Sequence, residues 1–307
     1  MALYSSTNQK LSIIKENPFR LEQEIQTITE KNLEYIFGLK FIKAQISLHN
    51  MRFDTLAFDK DSKSFVIIEY KREKSFSVVD QGFAYLSLML NNKADFILEY
   101  NEAVDGNMKR DDVDWSQSRV IFISPSFSKY QQQAINFRDL PIELWEITRY
   151  QDGLIQYSKL ESPETSESIN KISKSTKIIN KVIEEVRVYT EEDHLKIGDD
   201  STLSLYEEFK NQILSLDHKI KIIPKKKYIA FKTSLNSSNF LDLHPQKSKI
   251  KFWLNMSKGE LNDPQRLSKD VSKIGHWGNG DYEFSISSSA DFINLMPLIK
   301  QSYERNK

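Results

Sequence analysis

Apolar and polar positions are most informative between residues 52 and 71. Arg52-Phe-Asp54-Thr-Leu-Ala-Phe58 and Phe65-Val-Ile-Ile-Glu69-Tyr-Lys71 are apolar-rich runs parted by the polar stretch Asp59 to Ser64, a pattern that predicts a β-hairpin. Upstream, Leu21, Ile25, Ile28, Leu33, Ile36 and Phe37 form an imperfect helical stripe from Leu21 to Leu39, and Phe41 to Ser47 reads as a strand. Downstream, Val78, Val79, Phe83, Ala84, Leu86 and Leu90 predict a helix over Val78 to Asn91. Ala94 to Tyr100 and Arg119 to Ser124 read as buried strands joined by a loop rich in Asp, Asn and Gly. A helix at Ser128 to Phe137 and strands at Ile142 to Ile147 and Leu154 to Leu160 follow. Helices mixed with strands imply an α/β domain, a central mixed sheet flanked by helices.

Glu161 to Thr176 is rich in Ser, Thr, Glu and Lys and nearly free of apolar residues, the composition of a linker. The expected domains are therefore 1–160 and 188–307, with 161–187 between them and a short helix starting at Lys177. In the second domain Leu203 to Leu214 is an amphipathic helix. Ile220 to Ile223, Tyr228 to Lys232, Phe240 to Leu243, Lys249 to Asn255 and Tyr282 to Ile286 read as strands, and Ala290 to Arg305 as a closing helix. That makes a smaller α+β module.

A length of 307 residues favours two domains over one. No apolar run approaches the ~18 residues of a membrane span. The amino terminus lacks a basic stretch followed by an apolar one, which argues against secretion. With no cysteine, disulfides and thiolate chemistry are excluded, and a cytoplasmic location is expected. Lysine plus arginine and aspartate plus glutamate both number 43, so nucleic-acid binding would depend on local patches.

Within the hairpin, Glu69 and Lys71 lie two apart and share a face, and antiparallel pairing brings Asp54 alongside. Two hard carboxylates beside an ammonium group suit metal-assisted phosphodiester cleavage: the acids hold a divalent cation and the amine steadies water or phosphorane charge. A surface Glu–Lys pair at the tail of an ordinary hairpin is the plainer alternative. Asp54 argues against it, because it sits inside an apolar run where an unpaired carboxylate is costly. On the following helix, Gln81 and Tyr85 are one turn apart and share a face.

Asp54, Glu69-Tyr-Lys71 and Gln81-x-x-x-Tyr85 resemble the D…E-x-K core and the Q-x-x-x-Y motif of PD-(D/E)XK nucleases, with RecB-type and archaeal mismatch-type endonucleases nearest in pattern. The resemblance covers residues 15 to 100 well and the rest of the first domain loosely. It implies a restriction-endonuclease-like fold and one or two Mg2+ (or Mn2+) ions held by Asp54 and Glu69. Glu22 on the first helix would be a further ligand, Glu24 and Glu30 remaining open. It also implies that Lys71 orients or activates the water, and that Gln81 and Tyr85 position nucleic acid or the site's loops. Arg52, two residues before Asp54, would touch a phosphate or make a surface ion pair. DNA is the substrate that the resemblance favours, in repair or defence; a homodimer is compatible with the pattern and not decided by it.

Tyr189 to His194, Lys226 to Lys232 and Gly275 to Tyr282 resemble an uncharacterised carboxy-terminal module found behind such nuclease domains and often labelled a predicted transport protein. Ten lysines and two acids lie between Lys210 and Lys251, interleaved with Tyr228, Phe231 and Phe240. Lysines beside aromatics, Lys225, Lys226 and Lys227 foremost, suit phosphate contact and base stacking; solvent-facing decoration of strand edges is the alternative. His276 and Trp277 in a Gly-flanked turn read as structural or as a ligand site. Two further functional readings stand beside the nuclease: a non-catalytic nucleic-acid-binding protein that keeps the fold, and an interaction protein.

Overall fold

The computed structural model describes residues 2–49, 51–72, 77–137, 139–161, 177–233 and 238–307. Two units emerge, Met1–Glu34 with Leu39–Val188, and Tyr189–Lys307 with the short Tyr35–Gly38 segment.

The first unit opens with a hairpin, β1 (Leu3–Thr7) and β2 (Lys10–Ile14), turned at Asn8 and Gln9, both at positive φ. That turn lacks the glycine that marks most two-residue hairpins. Helix α1 (Glu22–Glu30) and the short α2 (Leu33–Phe37) replace the single helix expected from Leu21 to Leu39, and Gly38 at φ 67 ends the second. The central sheet follows: β3 (Leu39–Leu48), β4 (Met51–Asp59), β5 (Ser64–Tyr70), β6 (Arg119–Ser124), β7 (Ile142–Arg149) and β8 (Ile155–Lys159), hydrogen-bonded in that order. Pairing is antiparallel from β3 to β5, parallel from β5 to β7, and antiparallel again at β8. This is the expected mixed sheet. Helices α3 (Val78–Asn91), α4 (Lys93–Val104) and α5 (Lys129–Ala134) connect β5 to β7.

Helix α4 corrects the strand expected at Ala94 to Tyr100. Phe96 is buried, and Ile97, Tyr100 and Val104 pack on the same core while Leu98 is exposed. Spacings of four residues from 96 to 104 are helical, and the short run Phe96-Ile-Leu98 only imitates a strand. The core beneath α3 and α4 is aromatic: Phe53 stacks on Phe96 at 5.9 Å, and Phe65 meets Trp115 at 5.4 Å. On the other face, α1 buries Ile25 and Thr29, and Thr29 shares a hydrogen bond with the Tyr157 hydroxyl.

Most of the linker stretch, residues 162–176, lies outside the described residues. Its end is a helix, α6 (Lys177–Glu185), whose Val182 is buried in the first unit's core.

The second unit holds α7 (Glu191–Leu195), α8 (Asp200–Leu214), β9 (Lys221–Pro224), β10 (Ile229–Lys232), β11 (Asn239–Pro245), β12 (Ile250–Leu254), β13 (Lys269–Asp270), β14 (Tyr282–Ile286) and α9 (Phe292–Asn306). Its sheet is antiparallel throughout, in the order β13-β14-β12-β11-β10-β9. Helices α8 and α9 cover one face through Phe209, Phe292 and Tyr303, which meet Phe252 and Phe240. Among the described residues no helix is long and apolar enough to cross a membrane.

The loop before β14 is pinned by Gly280. Its φ is +82, and a Cβ there would lie 2.0 Å from the Leu254 carbonyl oxygen, a conformation and a contact that only glycine tolerates. Gly280→Ala is therefore expected to destabilise the second unit by about 2–4 kcal/mol, read as a lowered urea midpoint.

Candidate active site

Strands β4 and β5 pair in register from Asp59↔Ser64 to Thr55↔Ile68, and there the ladder stops. The next pair would be Asp54 with Glu69. Instead the side chains take over from the backbone. The Asp54 N–H donates to Glu69 Oε2 at 3.3 Å, and the Tyr70 N–H donates to Asp54 Oδ2 at 3.0 Å. Each carboxylate thus caps an amide that the parting strands would leave without a partner. Beyond the fork β5 stays on β6, where the Lys71 N–H reaches the Ile123 carbonyl at 2.9 Å.

The predicted residues gather at this fork. Lys71 Nζ donates to Glu69 Oε1 at 2.8 Å, and Gln81 Nε2 donates to the same oxygen at 3.1 Å. Gln81 also donates to the Tyr85 hydroxyl at 2.8 Å, which donates in turn to the Arg52 carbonyl at 2.9 Å. Tyr85 is buried, so the Gln81–Tyr85 pair holds Glu69 and the β4 backbone in place. Arg52 is exposed, and its charge bears on Asp54. Glu22 meets the strand end, its Oε1 accepting from the Arg72 N–H at 2.8 Å. Glu24 pairs with Arg149 at 3.2 Å, and Glu30 accepts from the Thr55 hydroxyl and from Gln26.

Three contributors were missed in the sequence. Arg72 Nη1 donates to the Arg20 carbonyl at 2.6 Å and so braces the segment before α1 against the end of β5. Gln26 reaches Glu30 at 2.9 Å and the Asp54 carbonyl at 3.5 Å. Gln45 occupies the position across from Asp54 on β3, where the ladder skips a pair between Ala44↔Thr55 and Ile46↔Phe53. Its φ is +56, and its buried Oε1 has no hydrogen-bond partner among the described residues. A left-handed glutamine is strained, and such strain gathers at functional sites. Nothing in the spacing of these residues announces them, because Gln26 reaches Asp54, Gln45 reaches Gln26 and Arg72 reaches Arg20 across long stretches of chain.

The electrostatics separate the two ends of the sheet. Burial pushes the Asp54 carboxyl above its ordinary pKa, more than the Tyr70 amide and Lys71 pull it down. Glu69 is raised by burial and then by the charge of Asp54, against Lys71. Burial opposes the Lys71 ammonium most strongly, yet its hydrogen bond to Glu69 and the charges of Glu69, Asp54 and Glu22 together outweigh that and hold its pKa above the usual lysine value. At the hairpin end, Arg119 joins Asp59 at 3.0 Å and Glu143 at 3.2 Å. There burial is overcome by Lys159 and Arg119, and the Glu143 carboxyl falls to about 2. One end is a satisfied ion network; the other keeps two acids with raised proton affinity.

Such a pair suits a hard divalent cation, which relieves the repulsion and completes its shell with water. Asp54 Oδ1 accepts no hydrogen bond among the described residues, while both Glu69 oxygens are engaged. Among the described residues no group of three or more acids or histidines is arranged to hold a metal ion. The acids assembled here are a pair, with the Glu22 carboxylate turned to the Arg72 amide.

In the second unit the aromatics expected to stack on bases prove to be core. Phe231 and Phe240 are fully buried and Tyr228 is 5% exposed. Among these lysines, Lys210 pairs with Glu191 and Lys251 with Glu283. Lys226 and Lys227 are exposed at the turn between β9 and β10, and Lys225 is half-buried beside them.

A protein of Haemophilus influenzae described as an uncharacterized protein is 47% identical to this chain over 302 residues, covering 98% of this chain and 99% of the relative. The chain belongs to that protein's family. Residues 191–306 match a domain of unknown function, DUF5655. Structural likenesses include an EndoMS–dsDNA complex (16% identity, 41% of this chain and 46% of that one, TM-score 0.27). They also include a Pyrococcus abyssi repair endonuclease (18%, 39% and 44%, TM-score 0.23) and Pyrococcus furiosus SfsA with Ca2+ (17%, 51% and 68%, TM-score 0.25). The chain spans less than half the length of the two endonucleases, and likenesses this slight carry no weight for mechanism.

Because the folded protein binds protons at Asp54 and Glu69 more tightly than the unfolded chain does, their contribution to stability falls as pH rises above the ordinary carboxylate value near ~4. Asp54→Asn, which still accepts from the Tyr70 amide, is expected to raise the metal-free Tm at pH 7.5 by about 2–4 °C. Glu143→Gln is expected to do the opposite and cost about 2–3 kcal/mol, because it leaves Arg119 and Lys159 short of a partner. Thermal melts of both variants in EDTA test the contrast.

Proposed function

We propose that the first unit is a metal-dependent phosphodiester hydrolase whose site is the fork between β4 and β5. The observation that carries this reading is the reciprocal capping of Asp54 and Glu69, with Lys71 bonded to the second acid. Asp54 and Glu69 would hold Mg2+ or Mn2+, with Glu22 as the next carboxylate at hand; the cation would supply Lewis acidity toward a phosphate oxygen and lower the pKa of water.

The chain's own residues have distinct tasks. Lys71 presents a fixed positive charge, held protonated by Glu69, to the phosphate or the attacking water. Gln81 orients Glu69, and Tyr85 ties Gln81 to the backbone of Arg52. Arg52, exposed near Asp54, is available to a phosphate. DNA as the substrate rests on the motif resemblance, as does the setting in repair or defence; a cytoplasmic location rests on the absence of cysteine, and the motif is compatible with pairing of two chains.

Full-length protein with Mg2+ is expected to cut plasmid or oligonucleotide DNA, and Asp54→Ala, Glu69→Gln and Lys71→Ala to lower the rate at least about 100-fold. Retention of cleavage in all three variants would refute the site. DNA binding without any cleavage would favour the non-catalytic reading, to which the Lys71–Glu69 ion pair lends itself. A readout free of turnover accompanies this. Mg2+ should raise Tm at pH 8 and progressively less as pH falls, because protons compete with the cation for the raised carboxyls, and Asp54→Asn should abolish the shift.

A further inference from the structure

One loop of the second unit is built with unusual rigidity and ends in an exposed tryptophan. Trp277 is 51% exposed. Its ring stands edge-on to the His244 ring with centroids 4.6 Å apart, and His244 is itself 92% buried, at 8% exposure. Burial first, and the neighbouring His194, hold the His244 imidazole below its ordinary pKa, so the platform under Trp277 is neutral. The next residue, Gly278, lies so close to Trp253 that a Cβ would come within 2.5 Å of its ring. Asn279 is clamped by the buried Asp242, whose Oδ2 accepts from the Asn279 N–H at 2.6 Å and from its side-chain amide at 2.8 Å. A fully desolvated carboxylate is spent on holding this loop still.

The same anchors reach the lysine turn. Asn279 Nδ2 also donates to the Tyr228 hydroxyl at 3.0 Å, and Tyr228 directly follows Lys225, Lys226 and Lys227. His194 Nε2 donates to the Lys225 carbonyl at 2.6 Å, and the His194 ring lies 6.4 Å from that of His244. Trp277 and the lysines, fifty residues apart in sequence, are thus fixed to one frame on the sheet face opposite α8 and α9. Asp242 on that face is engaged by Asn239 and Asn279, and Glu283 by Lys251 at 3.1 Å and by the Trp253 indole at 3.1 Å.

We propose that this rim is a binding site for single-stranded nucleic acid, with Trp277 stacking on an unpaired base and Lys226 and Lys227 holding its phosphates. A flat, preorganised aromatic needs a free base face, which a duplex does not offer, and lysines beside it match the charge of the backbone. The site deepens the nuclease reading by naming the form of nucleic acid the chain grips, and it depends on that reading only for its biological use.

The test uses full-length Asp54→Ala protein in EDTA, so that binding is measured without cleavage. Anisotropy of a labelled oligothymidylate is compared with that of a duplex of equal length over a series of salt concentrations. Trp277→Ala is expected to weaken oligothymidylate binding roughly 5- to 100-fold with little change in salt dependence, and Trp277→Phe to keep most of the affinity. Lys226→Ala with Lys227→Ala is expected to make the salt slope shallower by about 1.4, about 0.7 for each phosphate lost. Unchanged oligothymidylate affinity in Trp277→Ala, binding confined to duplex, or no binding at low salt would each overturn the proposal. Cleavage by the chain with Asp54 intact is scored separately: cutting without single-strand binding defeats this inference alone, and binding without cutting defeats the hydrolase reading alone.

Discussion

The parting of β4 from β5 after the Thr55↔Ile68 pair is the constraint on which the first unit's chemistry depends. Backbone amides in a buried sheet need acceptors, and two strands that separate forfeit the ones they would give each other. Asp54 and Glu69 supply them crosswise, each carboxylate serving the opposite strand. That exchange keeps the fork open and also fixes two anionic groups side by side in a desolvated place. Lys71, Gln81 and Tyr85 then follow as necessities: one offsets charge, and the other two stop Glu69 from swinging away. The strained Gln45 lies across from Asp54 on the other side of β4, where the β3 ladder skips one pair and resumes at Ile46↔Phe53.

The opposite end of the same sheet shows what a purely structural use of buried charge looks like. Asp59, Arg119, Glu143 and Lys159 pair donors with acceptors, and Glu143 is driven to a low pKa. Its stability contribution is present above the ordinary carboxylate pKa and is lost only as pH falls toward about 2. At the fork the sign is reversed, so the folded state would gain from protons or from any other cation. Burial is common to both ends; the number of cations the protein itself provides differs. Perturbed acids left short of positive charge in this way point to sites more than to scaffolding.

Local pattern made a good part of this readable. The hairpin, the helix Val78–Asn91 and the strands Arg119–Ser124 and Tyr282–Ile286 follow from periodicity within single segments. Asp54, Glu69, Lys71, Gln81 and Tyr85 were legible because a hairpin and a helical turn convert spacing into proximity. Gln26, Gln45 and Arg72 were not, since their roles pass through α1 and β3 and no short-range pattern encodes those contacts. Ala94 to Tyr100 misled because three consecutive apolar residues fit either period, and only Tyr100 and Val104 reveal the helix. In the second unit the lysine turn was visible in the sequence, whereas the burial of its neighbouring aromatics was not: Phe231 and Phe240 sit on strands in the core, and Tyr228 is turned to Asn279. Trp277, whose loop is tied to the lysine turn through Asn279 and Tyr228, arrives from fifty residues away.

Asp54 and Asp242 show how one residue type acquires two roles. Asp242 is almost wholly inaccessible, and both its oxygens accept from amide groups of Asn239 and Asn279. Its charge is spread over fixed donors, and its effect is mechanical: the loop bearing Trp277 cannot drift. Asp54 accepts one backbone hydrogen bond, faces a second acid, and keeps an oxygen that no protein donor occupies among the described residues. A carboxylate so placed is stabilised by something that arrives from outside, proton or cation, whereas Asp242 is enclosed by donors of the protein itself. The first kind of acid builds a surface; the second is poised to bind.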